Sequence, residues 1–138
     1  ETEDHLYFDC GDGRTVTIFT NESRKGKQEP LDTSVGSVHH VAFWVSQSTI
    51  RIAEKKLKER GIGSSGIKDR GFMDSIYFRD PLGLLIELAS YKFEPPLGYT
   101  FGQVLEKAHK LRLSRGAKNI EDEDISNSLI CLSKRGNS

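Results

Sequence analysis

A hairpin pattern recurs in this chain at a fixed offset, and that repeat limits the folds open to it more than any other feature. Residues 7–19 read YFDCGDGRTVTIF and residues 77–88 read YFRDPLGLLIEL. Tyr7-Phe8 stands 70 residues before Tyr77-Phe78, and Gly13 stands 70 residues before Gly83. Each copy is a β-rich run, a glycine turn and a second β-rich run, the pattern of an antiparallel hairpin. Short strand patterns recur widely, so chance likeness competes with duplication. Duplication is the simpler account, because the second copy follows a full strand and helix while little precedes the first. The expected organisation is the last hairpin of a preceding, truncated module over 1–20, a linker over 21–36, a complete module over 37–92 and a helical extension over 93–138. The chain opens at Glu1 and not at a methionine, which leads to the expectation of further sequence upstream.

The complete module is legible element by element. Residues 37–45, SVHHVAFWV, are β-branched and aromatic and predict a strand. Alternation places His40, Ala42 and Trp44 on one face and His39, Val41, Phe43 and Val45 on the other. Residues 47–60 predict a helix capped by Ser46 or Ser48, with Ile50, Ala53 and Leu57 inward and Gly61 just past its end. A glycine-rich connection over 62–72 has room for a short edge strand. Strands follow over 74–79 and 84–90, joined by the turn Asp80-Pro81-Leu82-Gly83. Ser75, Tyr77 and Arg79 share one face of the first, and Leu85, Glu87 and Ala89 share one face of the second. In the tail, 101–115 predicts an amphipathic helix carrying Val104, Leu105, Ala108, Leu111 and Leu113. A second helix runs from Asp122 or Asp124 to about Arg135, with Ile125, Leu129 and Leu132 inward and acidic residues at its amino end.

Composition narrows the function classes. The chain has 138 residues, 20 of them Lys or Arg and 20 Asp or Glu, so no overall field draws it to nucleic acid or an anionic membrane. No apolar run approaches the length of a membrane span, and no leader pattern is visible, so the expectation is a cytoplasmic protein. Cys10 and Cys131 form no CxxC pair and read as free thiols. No phosphate-binding glycine loop or nucleophile elbow occurs, and Gly11-Asp12-Gly13 is turn chemistry.

Glu87 is the position with most chemical content. Its neighbours in register point to a packed face, and a buried carboxylate without a partner costs several kcal/mol or takes up a proton. A metal is one such partner; a strand glutamate facing solvent has the same pattern. His40 is the natural companion, since neutral imidazole is a common ligand, although one histidine alone is weak evidence. Strand alternation turns His39 and His40 apart, so both reach one metal only through a bulge. Arg70 suits a developing anionic oxygen, and Tyr77 can orient or protonate an oxygen. A solvated loop arginine and a packed strand tyrosine are the alternatives for these two.

Taken together, GSVHHVAFWV, the helix after it and DRGFMDSIYFRDPLGLLIELAS resemble the glyoxalase, bleomycin-resistance and extradiol-dioxygenase (vicinal-oxygen-chelate) superfamily. The likeness covers residues 36–90, and residues 5–20 look like the last hairpin of a module before it. The tail KFEPPLGYTFGQVLEKAHKLRLSRG is similar to the carboxy-terminal extension of hydroquinone-type ring-cleaving dioxygenases. The resemblance implies an α+β fold in which βαβββ modules each curl into half of a barrel around a metal. It implies an extradiol-type dioxygenase using Fe(II), with Mn(II) or Zn(II) as alternatives, that acts on an aromatic diol or hydroquinone with dioxygen. His40 falls on a histidine ligand, Glu87 on the carboxylate ligand, and Arg70 and Tyr77 on active-site positions.

One departure matters. The family's first histidine ligand sits on the opening strand of the earlier module, which this chain lacks, and His5 is not its equivalent. The residue equivalent to Glu87 in the first hairpin is Thr17, a poor ligand. The chain thus supplies two of three protein ligands: either the missing half is a separate piece, reached by homo-oligomerisation or by pairing with a missing amino-terminal module, or the isolated chain cannot hold iron in the active arrangement and is inactive. Two copies joined through 36–90 would share two histidines and two glutamates. The rival readings are a glyoxalase-like lyase or isomerase and a non-enzymatic module that sequesters a small aromatic compound.

Overall fold

The computed structural model describes residues 4–11, 13–20, 32 and 34–135. It contains a two-stranded and a four-stranded sheet with three helices, an α+β architecture. The first sheet is an antiparallel hairpin of β1 (Asp4–Asp9) and β2 (Thr15–Thr20). Among the described elements it packs against no other. Its residues Leu6, Tyr7, Phe8 and Phe19 stay exposed. The linker expected over 21–36 lies largely outside the described residues; Ser37 closes a turn onto the carbonyl of Ser34 at its end.

The second sheet is built from β3 (Val41–Trp44), β4 (Lys68–Asp69), β5 (Met73–Arg79) and β6 (Leu85–Tyr91), in the order β3-β6-β5-β4. β3 runs parallel to β6, and the other pairs are antiparallel. A parallel pair needs a crossover, supplied here by α1 (Gln47–Glu59) between β3 and β4. Ser46 caps α1 by accepting from the Thr49 amide, and Gly61, at φ +67°, ends it. Ile50 and Leu57 of α1 and Ile76 of β5 form the core, joined by Val45, Ile67, Phe78 and Leu88. These side chains lie on the face of the sheet covered by α1, and no helix of the module covers the opposite face.

The repeat holds at the level of strand register. Tyr7 pairs with Thr17 and Tyr77 with Glu87; Phe8 pairs with Val16 and Phe78 with Ile86. The turns match too. The amide of Cys10 bonds the carbonyl of Arg14, and that of Asp80 bonds the carbonyl of Leu84, both at 3.0 Å. Gly13 and Gly83 both take the left-handed conformation, at φ +81° and +90°.

The tail folds as α2 (Phe101–Ser114) and α3 (Asp122–Arg135). Thr100 and Gln103 form a capping box at the start of α2. Val104 and Ala108 bury against Ile125 and Leu132, but Leu113, expected inward, faces solvent. Asp124 also departs from expectation. The helix dipole accounts for an acidic residue at this end, yet Asp124 is only 1% exposed and receives two bonds from Arg115, at 2.7 and 3.0 Å. It fastens the α2–α3 turn.

Candidate metal and substrate site

The open face of the four-stranded sheet gathers the residues of interest. In β6 it carries Leu85, Glu87, Ala89 and Tyr91. Across the parallel pair Ala42 lies opposite Glu87 and Trp44 opposite Ala89; across the antiparallel pair Tyr77 lies opposite Glu87 and Ser75 opposite Ala89. His40 precedes the first of these pairs by one full pleat and so joins the same row.

Strand β3 begins at Val41, four residues later than the predicted start at 37, so His39 and His40 lie just outside the ladder. The expected separation of the two rings by alternation therefore fails. Their Nδ1 atoms stand 2.7 Å apart, and the rings meet edge to face with centroids 4.9 Å apart. One nitrogen donates and the other accepts. Nδ1 of His40 is thereby engaged by His39, and Nε2 is the nitrogen turned towards Glu87. Only the loss of regular extended backbone before Val41 permits this contact.

His40 Nε2 lies 3.0 Å from Glu87 Oε2, and the Tyr77 hydroxyl donates to Glu87 Oε1 at 2.9 Å. Glu87 is 6% exposed, so both of its oxygens are satisfied where water is nearly excluded. Burial raises the Tyr77 pKa above the ordinary tyrosine value, and its hydrogen bond to Glu87 pushes in the same direction. Burial likewise raises Tyr91, with the Glu87 charge adding to it. The Ser75 hydroxyl is fully buried on this face and makes no hydrogen bond of good geometry. Arg70 sits at the exposed edge beside β4, where its charge reaches Tyr77 and favours the phenolate. Its side chain forms no hydrogen bond with a described residue.

These donors fit a metal in one respect that can be measured. Two ligand atoms about 2.1 Å from one ion and at a right angle are about 3.0 Å apart. The His40–Glu87 separation is 3.0 Å, the span of two adjacent octahedral positions. Tyr77 occupies the second carboxylate oxygen, and Oε2 is the oxygen that faces His40. Among the described residues no third histidine, cysteine or carboxylate joins them.

The extension closes one end of the face. Phe101 stacks on Tyr91 at 4.9 Å and lies 5.5 Å from both Trp44 and Phe93. The end near Tyr77 and Leu85 stays open.

The model of the Glyoxalase/Bleomycin resistance protein/Dioxygenase superfamily matches residues 1–88. The chain belongs to this superfamily. The superfamily match begins at the first hairpin and runs through Glu87, so both copies of the repeat lie inside it. Among curated relatives, the chain is 32% identical over 117 residues to chlorohydroquinone/hydroquinone 1,2-dioxygenase of Sphingobium indicum, covering 82% of this chain and 34% of the relative. It is 39% identical over 56 residues to "Putative ring-cleaving dioxygenase MhqA" of Bacillus subtilis (strain 168), covering 40% of this chain and 18% of that protein. The chain therefore spans about a third or less of the length of these relatives. No solved structure gives a significant match. No helix among the described residues is long and apolar enough to cross a membrane.

The structure brings three of the four predicted site residues, His40, Glu87 and Tyr77, into contact and leaves Arg70 at the rim. Sequence reasoning passed over His39, Ser75 and Tyr91. Ser75 and Tyr91 carried a signal, since both share the side-chain parity of the Tyr77 and Glu87 rows. His39 carried none, because its parity pointed the other way.

Proposed function

We propose that this chain is the carboxy-terminal part of an Fe(II)-dependent, extradiol-type ring-cleaving dioxygenase acting on an aromatic diol or hydroquinone. The observation that carries the proposal is the octahedral-edge spacing of His40 Nε2 and Glu87 Oε2 on an open sheet face. The two ring-cleaving relatives support it.

His40 and Glu87 would hold the ion, which when bound supplies the redox chemistry that lets dioxygen react with an aromatic ring. The chain's own residues do the rest. His40 and Tyr77 contact the two oxygens of Glu87 in a nearly dry setting and hold the carboxylate in place. Tyr77 keeps its proton at neutral pH and can hold or protonate a substrate oxygen. Arg70, at the rim, can neutralise negative charge developing on substrate oxygen. The aromatic cluster around Phe101 packs across the far end of the face.

Among the described residues no third ligand joins His40 and Glu87, and a preceding module or a second copy of the chain would supply it. The unpartnered apolar side chains of the β1–β2 hairpin are consistent with either. The lyase alternative is less well supported, because Thr17 stands in register where a further carboxylate would be required.

The test is metal content and oligomeric state after anaerobic reconstitution with Fe(II), followed by oxygen uptake with a hydroquinone in the complete protein. Iron lost on His40→Ala or Glu87→Ala is the expected result. Oxygen uptake that survives Glu87→Ala in the complete protein overturns the proposal, and ring binding without oxygen uptake points to the sequestering module.

A further inference from the structure

The open end of the site is a shallow, solvent-open depression of about 480 Å³. Its walls include Ile62, Ser64, Tyr77, Phe78, Arg79 and Leu85. Ile62 and Leu85 provide apolar surface for a ring, Phe78 packs into the α1 core on the other face, and Tyr77 connects the depression to Glu87. Arg79 is the charged group in the lining. It lies opposite Leu85 in register, two residues beyond Tyr77 and on the same face. One of its nitrogens, Nη1, donates to the Gly83 carbonyl at 2.8 Å, which fixes the guanidinium in place. No described carboxylate pairs with it, so its remaining N–H groups are available to a ligand.

The charge on this face is one-sided although the chain as a whole is neutral. Register and alternation put Lys68, Arg70 and Arg79 on the open face, all three exposed. Glu87 is the carboxylate on that face, and it is already engaged by His40 and Tyr77. At the Arg70 end the exposed Asp122 carboxylate stands beside Gly71, so among the described residues the positive charge left without a carboxylate is at Arg79, where an apolar wall strengthens its pull on an anion.

We infer that the substrate is a dihydroxylated ring bearing an anionic substituent such as a carboxylate, with the ring in the Ile62–Leu85 depression and the charge on Arg79. This rests on the function proposed above and adds a substrate class to it. A neutral hydroquinone would leave the Arg79 fork without an acceptor, whereas a carboxylate matches it in shape and charge.

Trp44 is the chain's one tryptophan and lies on the same face, so quenching of its fluorescence reports binding. The full chain is titrated anaerobically with Fe(II) present, using 2,5-dihydroxybenzoate, its neutral amide and hydroquinone. The benzoate is expected to bind at least about tenfold more tightly than the amide. Added salt should weaken the benzoate alone. Arg79→Gln should erase the preference, and Arg79→Lys should restore part of it. Equal binding of benzoate and amide by the unmutated chain overturns this inference and leaves the proposed function standing. The same holds for a preference untouched in a folded Arg79→Gln variant. Failure of all three compounds to bind overturns both. The salt series on the unmutated chain decides the matter even if Arg79→Gln does not fold.

Discussion

Tyr77 donates its hydroxyl to the carboxylate of Glu87 directly across the β5–β6 pair, at 2.9 Å. The corresponding cross-strand pair in the first hairpin is Tyr7 and Thr17. The same hairpin is thus used twice, and only the second copy places an acid under its tyrosine.

Removing the hydroxyl tests this pair. Tyr77→Phe leaves a buried carboxylate oxygen without its donor and should cost about 1–2 kcal/mol of stability, read by denaturant unfolding. A folded variant with unchanged stability would show that water replaces the phenol.

The Tyr77 proton is also expected to titrate late. Its folded pKa is raised by burial first and by Glu87 second. Stability from this group is present below the ordinary tyrosine pKa and is lost as pH rises through the folded value. Phenolate absorbance should therefore show the Tyr77 phenol, like that of Tyr91, ionising above the ordinary range. Glu87→Gln should bring it down, and no change on that substitution would refute the coupling.

Metal binding should depend on both donors. Glu87→Ala or His40→Ala is expected to lower Fe(II) affinity by at least about 100-fold. The fold should survive, since neither residue belongs to the Ile50–Leu57–Ile76 core. Unaltered iron content in either variant would place the metal elsewhere.

Arg115 and Asp124 should matter more to stability than any exposed ion pair. Arg115 holds the Asp124 carboxyl below the usual range. The stability it confers is present above the unfolded aspartate pKa and is lost as pH falls through the folded one. Arg115→Ala should lower Tm well beyond Lys110→Ala, which breaks only the exposed pair with Glu106. Equal effects of the two substitutions would mean that Asp124 is not the anchor of the α2–α3 turn.

Ile76 is fully buried between β5 and α1. Ile76→Ala should cost about 2–5 kcal/mol, measured by chemical denaturation. A smaller loss would mean that the single-sided core of this module collapses around the gap.

Much of this protein was determined locally and could be read from the chain. Ser46 and Gly61 bound α1 through hydrogen bonds and a left-handed turn that involve only near neighbours. The hairpins follow from period-two alternation and from glycines that must take positive φ. Glu87 was conspicuous because a carboxylate at a packed position needs a partner. What the sequence alone could not decide is which groups meet. His40 reaches Glu87 because β3 adds to β6 in parallel with Ala42 opposite Glu87, a register set by packing α1 over Ile76. His39 touches His40 because the strand starts late, and Asp124 is buried because Arg115 folds back across a turn. Pattern within a strand or helix is governed by the chain's own period. Contacts between distant segments depend on which register buries the most apolar surface, a property of the assembled sheet.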